Sequence, residues 1–144
     1  MNFDVALMGD TWAAIVQMEQ EIVLVEDDGP MRQALQRVLS GSGFTVRAFD
    51  SAESLLGDLH GSPWRSSSLC CICDVRLPGV SAFELYRDLA LRGPMAPWVI
   101  ITAHDAPSVR EQADRIHAAY LMKPFEGRTL LAMVTRLTAG ERMP

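Results

Sequence analysis

Lysine is almost missing from this 144-residue chain: of 13 cationic residues, all but Lys123 are arginine. An ammonium that occurs once invites a search for the one place that needs a compact point charge on a flexible stem. Cysteine is scarce as well. Cys70, Cys71 and Cys73 crowd one short stretch, with no histidine or second cysteine group spaced for a metal, which argues against zinc. Their odd number argues against a disulfide framework, and an apolar strand gives them a plainer role as small buried hydrophobes. No run approaches the roughly 18 apolar residues of a spanning helix. Asn2 and Asp4 stand where a secretory signal would carry positive charge, so the expected compartment is the cytoplasm, with no membrane partner. Positive charge is also short overall. The 18 acids against 13 bases give a net charge of −5, a poor match for direct nucleic acid or anionic lipid binding.

What remains is ordinary globular material, 49% apolar and 22% charged, in a length that suits one domain with a real core. From residue 22 onward, short apolar runs alternate with amphipathic stretches, the pattern of repeated β-α units around a parallel sheet. Ile22 to Val25 reads as a buried strand emptying into Glu26, Asp27 and Asp28. Gly29-Pro30 then opens a helix whose Met31, Ala34, Leu35, Val38 and Leu39 share a face, stopped by Ser42-Gly43. Phe44 to Phe49 reads as a second strand, and Ser51 caps a helix with Ala52, Leu55, Leu56 and Leu59 on one side. Gly61 to Ser68 reads as a surface loop. Leu69 to Cys73 is the third strand, ending on Asp74, and a helix from Ser81 to Leu91 carries Phe83, Tyr86, Leu89 and Ala90. Trp98 to Ile101 ends on Thr102, and a helix with Val109, Ala113 and Ile116 follows. Ala119 to Met122 ends on Lys123, and the last helix, from Glu126, carries Leu130, Met133, Val134 and Leu137. The predicted fold class is α/β: a (βα)5 doubly wound, five-stranded parallel sheet over residues 21–139. Residues 1–20 fall outside that rhythm and read either as a peripheral helix or as the product of an upstream start codon, and 140–144 form a tail.

In an open parallel sheet the ligand site lies beyond the carboxyl ends of the strands. Here those ends carry Glu26 and Asp27, Asp74, Thr102 and Lys123. A lone aspartate after a strand is usually a solvated turn residue. Three acids, a hydroxyl and the only lysine on one edge are not explained that way. Three carboxylates in one crevice raise one another's pKa unless a cation neutralises them, and Mg²⁺ suits an all-oxygen site that keeps waters for a phosphate to replace. A carboxylate beside such an ion can attack phosphorus to give an aspartyl phosphate. The charge on the phosphoryl oxygens then calls for donors such as an ammonium, a hydroxyl and backbone N–H groups.

The runs Ile22-Val-Leu-Val-Glu-Asp-Asp28, Cys73-Asp-Val-Arg-Leu-Pro78, Val99-Ile-Ile-Thr-Ala103 and Met122-Lys-Pro-Phe125, each at a strand end and in this order, resemble a receiver domain of a two-component response regulator. The resemblance covers nearly all of residues 22–138, and the text around Ser51-Ala-Glu53 is similar to nitrogen-fixation-type regulators. It implies the flavodoxin-like strand order 2-1-3-4-5. It implies that Asp74 is the phosphoacceptor, that Asp27 binds Mg²⁺ directly, and that Glu26 acts on the metal through water. Arg76 would lend its backbone carbonyl to the ion while its side chain stays near the site mouth. Thr102 and Lys123 would meet phosphoryl oxygens, a cis Lys123-Pro124 bond would aim the lysine inward, and Tyr120 would be a rotating aromatic switch coupled to Thr102. Arg76 and His104 would modulate water access. The implied donor is a sensor histidine kinase or a histidine phosphotransfer protein, and a second copy of the chain is a candidate partner.

Three departures from the family pattern stand out. Glu26 replaces the commoner aspartate, Ser81-Ala82 replaces Ser-Gly, and Arg115-Ile-His-Ala-Ala119 lacks the Gly-Ala usual ahead of the last strand. A helix C-terminus without its glycine is expected to close by another route, which leaves open the shape of the face formed by the fourth helix, fifth strand and fifth helix. A dehalogenase-type phosphatase would need an acid where Arg76 stands, and a nucleotide- or flavin-binding turn would not carry Glu26-Asp27-Asp28. A receiver-like interaction module that is not phosphorylated, and the N-terminal fragment of a DNA-binding regulator, stay open.

Overall fold

The computed structural model describes residues 21–59, 68–93 and 95–139. Ile22, Val23, Leu24 and Val25 are all buried, because strand β1 (Glu21–Val25) is flanked on both edges and covered on both faces. It pairs in parallel with β2 (Thr45–Phe49) on one side and β3 (Ser68–Asp74) on the other. Strands β4 (Trp98–Thr102) and β5 (Ala119–Met122) extend the sheet to the order β2-β1-β3-β4-β5, as expected.

Alternate residues of the central strands divide the core in two. Val23, Val25, Cys71, Cys73, Trp98 and Ile100 face helices α2 (Ala52–Asp58), α3 (Ala82–Ala90) and α4 (Pro107–Arg115), which contribute Ala52, Leu55, Ala82, Leu85, Leu89 and Ala113. Ile22, Leu24, Cys70, Ile72, Val99 and Ile101 face α1 (Gly29–Gly41) and α5 (Gly127–Thr138), which supply Leu35, Leu39, Leu130 and Val134. The three cysteines are free and buried, and burial pushes all three thiols well up, Cys70 to about 12, so they pack as unreactive hydrophobes.

Local chemistry sets the helix ends. Asp28 caps α1 by accepting the Met31 N–H at 3.1 Å, and Ser51 and Ser81 cap α2 and α3 through Ser54 and Glu84. Helix α1 closes on Gly43 at φ 97°, with Gly43 N–H donating to Ser40 and Phe44 N–H to Leu39. Helix α4 closes by the same pair of bonds, His117 N–H to Asp114 and Ala118 N–H to Ala113, although His117 carries the left-handed φ of 56°. The expected alternative route is therefore not taken: histidine occupies the glycine's conformation and the geometry is kept.

Two further expectations shift. β3 begins at Ser68, opposite Glu21, not at Leu69. The buried face of α3 is Ala82, Leu85 and Leu89; Phe83 and Tyr86 are half-buried at its margin, and Ala90 is exposed, one residue past the turn that faces the sheet. The readings of residues 1–20, of the loop at 61–67 and of the tail lie outside the described residues.

Candidate functional site

The chain leaves β1 toward β2, then returns across β1 to β3, so the connections that follow β1 and β3 run in opposite directions and leave a crevice beyond the carboxyl ends of the two strands. Among the described residues the buried polar side chains are Glu26, Asp74 and Thr102, and all three stand at this edge. Such burial is costly unless the groups are paired.

The backbone holds each one in place. Glu26 N–H donates to Phe49 at the end of β2 at 3.0 Å, while its carbonyl accepts from the Arg32 guanidinium at 2.8 Å. Val75 N–H donates to Ile101 at 3.0 Å, fixing the exit of β3, and Lys123 N–H donates to the Thr102 carbonyl at 2.7 Å. The Lys123-Pro124 peptide is cis, as the resemblance implied.

Lys123 Nζ lies 2.6 Å from Asp74 Oδ2 and 2.9 and 3.2 Å from the two oxygens of Glu26, so one ammonium bridges two buried carboxylates. Asp74 Oδ1 accepts the Arg76 N–H at 3.0 Å. Glu26, Asp27 and Asp74 each offer an oxygen, all within 4.8 Å of one another. Burial pushes the Glu26 carboxyl up to about 7; its hydrogen bond with Asp74 adds to this and Lys123 opposes it. For Lys123, burial alone would lower the pKa, but the hydrogen bonds and charges of the two acids outweigh it and raise it. Three carboxyl groups share one ammonium in an all-oxygen donor set, the kind of site that suits a hard divalent cation.

The remaining expected residues have partners of their own. The Thr102 hydroxyl donates to the His104 carbonyl and accepts the His104 N–H, both at 3.0 Å, so it is engaged by its own loop. The side chains of His104 and Arg76 are exposed. Tyr120 is half-buried; its hydroxyl donates to Asp105 at 3.1 Å, and the Arg110 guanidinium sits 4.5 Å from its ring centre. Arg110 in turn makes two bonds to Asp105, at 2.6 and 3.0 Å. Sequence reasoning missed Arg32, Asp105 and Arg110, and saw Glu53 only as part of a motif. Their partners lie on other elements, where periodicity carries no signal.

Fold and site together define a doubly wound α/β domain with an acidic, lysine-bridged cluster at its topological switch point. The chain belongs to the response regulator receiver domain family, which it matches over residues 22–135. It is 38% identical over 125 residues to the response regulator protein FleR of Pseudomonas aeruginosa, covering 86% of this chain and 26% of that one. It is 33% identical over 114 residues to the transcriptional regulatory protein FixJ of Bradyrhizobium diazoefficiens, covering 78% of this chain and 54% of that protein. The crystal structure of a response regulator receiver protein from Burkholderia phymatum is similar at TM-score 0.71 and 35% identity, over 86% of this chain and 98% of the other. The chain thus spans about a quarter of FleR and about half of FixJ. Receiver domains are signalling domains that bind Mg²⁺ in general and interact with histidine kinases or phosphotransfer proteins. No helix among the described residues is long and apolar enough to cross a membrane.

Proposed function

We propose that residues 21–139 form a receiver that takes a phosphoryl group on Asp74 from a phosphohistidine of a sensor kinase or phosphotransfer protein, in the cytoplasm. The observation that carries this reading is the Lys123 bridge between Asp74 and Glu26, with Asp27 completing a cation-ready acid cluster. Glu26, through water, together with Asp27, Asp74 and the Arg76 carbonyl, would hold Mg²⁺. The ion would offset the acids' repulsion and the charge of the incoming phosphoryl oxygens.

In the transfer, a carboxylate oxygen of Asp74 bonds to phosphorus as the P–N bond to the donor imidazole breaks, its electron pair leaving with the ring nitrogen. Lys123, already 2.6 Å from Asp74, stays to pair with a phosphoryl oxygen. The Thr102 hydroxyl exchanges its bonds to His104 for another phosphoryl oxygen, and Tyr120 exchanges its bond to Asp105 for a position nearer the sheet. These exchanges give two states whose balance the modification shifts. The exposed side chains of Arg76 and His104 flank the route by which water reaches the acyl phosphate. The shares of FleR and FixJ that the chain covers favour a second statement, that the receiver regulates an attached transcriptional output half.

The test is incubation with Mg²⁺ and acetyl phosphate followed by intact-mass measurement. The wild type should gain one phosphoryl group in an acid-stable, base-labile adduct and Asp74→Asn none. An adduct that persists in Asp74→Asn removes the assignment.

A further inference from the structure

The segment that leaves Asp74 is anchored at both ends. At its near end, Val75 N–H donates to Ile101 and Arg76 N–H donates to Asp74 itself. At its far end, Val80 N–H, in the loop ahead of α3, donates 2.8 Å to the Glu53 carboxylate on α2, across 27 residues of sequence.

The fit between these parts is close. Gly79 has φ 78°, and a Cβ built there would lie 2.6 Å from Glu53 Oε1 and 3.2 Å from its carboxyl carbon, so the carboxylate fills the space a side chain would need. The clamp stands on a fixed base. Ala52 and Leu55, on either side of Glu53, are fully buried; Ser51 caps the helix through Ser54 N–H at 3.1 Å, and the Ser54 hydroxyl donates to Asp50 at 2.8 Å. Val80 packs its side chain against the same core while its N–H is held by Glu53. Between the anchors lie Arg76, Leu77 and Pro78, the stretch that would present the Arg76 carbonyl to the metal.

We propose that Glu53 is a positioning residue of the phosphoacceptor site. Its carboxylate sets the path of residues 76–79, and through that path it sets the affinity of the acid cluster for a divalent cation. The inference rests on the receiver reading above. Glu53 touches neither the phosphoryl group nor the ion; it acts through the Val80 amide and the glycine-shaped gap at Gly79. Outer groups that orient a metal's ligands typically change affinity by about 10–100-fold when lost. A clamp at the far end of the ligand's own loop belongs at the low end of that range.

The experiment is a calorimetric Mg²⁺ titration of the whole chain as wild type, Glu53→Gln, Glu53→Ala and Gly79→Ala, with hydrogen exchange at the Val80 amide and the thermal midpoint measured alongside. Glu53→Ala should weaken Mg²⁺ binding about tenfold and expose the Val80 amide to exchange with little change in the midpoint. Glu53→Gln keeps an acceptor oxygen in the same place and should restore both readouts to near wild type. Gly79→Ala should weaken binding from the other side of the contact, because its Cβ displaces the carboxylate. Unchanged Mg²⁺ affinity in Glu53→Ala, with a wild type that binds, overturns the clamp alone. Glu53→Gln behaving like Glu53→Ala also overturns it, because charge and not position would then be the cause. A wild type that binds no Mg²⁺ overturns the receiver-site reading and the clamp with it.

Discussion

Lys123 bridges Asp74 and Glu26 below the surface, while Arg110, beyond the end of β4, bridges Asp105 and the ring of Tyr120 at the surface. The parts are nearly the same, a cation, carboxylate and hydrogen bonds under 3.3 Å, but the solvent differs. The side chains of Glu26 and Asp74 are 0% and 8% exposed, and those of Asp105 and Arg110 are 38% and 52% exposed. In the first cluster water cannot screen the acids from each other, so the ammonium is needed to keep both there. In the second, water does most of that work, and the pairing orients a tyrosine without storing much stability. Buried charge therefore makes the first cluster responsive to a proton, a metal or a phosphoryl group, and exposure makes the second a loose holder that a small change can open.

Removing the cation from each cluster gives the largest contrast. Lys123→Met leaves Asp74 and Glu26 facing one another without a counter-charge and should cost about 3–5 kcal/mol of unfolding free energy at pH 8 in chelator. Arg110→Met leaves Asp105 to water and should not move the urea midpoint measurably. Equal losses would show that burial does not separate the two clusters. The Lys123→Met loss should shrink at pH 5.5, where Glu26 can take a proton and end the repulsion.

Acidity probes the same difference without mutation. Glu26 has a folded-state pKa raised to about 7 against an ordinary 4.5, so between those values the native state holds a proton that the unfolded chain has released. Stability should therefore be highest below about pH 4.5 as far as Glu26 is concerned and fall as pH rises to 7, by roughly 3 kcal/mol for the full gap. Urea midpoints in chelator across pH 5 to 7.5 measure the slope, and Glu26→Gln should flatten it. Mg²⁺ should reverse it, because the ion needs the ionised carboxylate. The surface cluster titrates elsewhere: its hydrogen bond to Arg110 holds the Asp105 carboxyl below its usual range, so what it contributes is present above that range and lost only in stronger acid.

The buried cluster was legible in the sequence because each strand of an α/β sheet delivers its polar terminus to one edge. Four apolar runs ending on Glu26, Asp74, Thr102 and Lys123 converge whatever the details of packing. Side chains that reach across elements left no such trace. Nothing in the spacing of Glu53 and Val80, or of Arg32 and Glu26, says that they meet, since loop paths and rotamers decide it. The end of α4 departs from its sequence expectation for a different reason. Glycine preference predicts a changed geometry at His117, yet two backbone bonds and the burial of Ala113 hold the left-handed turn, at a cost of about 1–2 kcal/mol for a residue with a Cβ. Tertiary structure overrides a local preference of that size.

The smallest effect tests what the surface cluster does to Tyr120. Burial raises the pKa of its hydroxyl first, and the hydrogen bond to Asp105 and the charge of that carboxylate raise it further, against the weaker opposing charge of Arg110. Asp105→Asn should bring the phenol down toward its ordinary value without reaching it, because the burial stays. Ultraviolet titration in a Tyr86→Phe background, where a single phenol absorbs, reads this directly. Added salt should lower it in the same direction in the wild type, since charges this exposed are screened within about 10 Å at 0.1 M. A phenol unmoved by both changes would mean that Asp105 does not hold Tyr120 in solution, and the surface cluster would then be two independent contacts and not a holder.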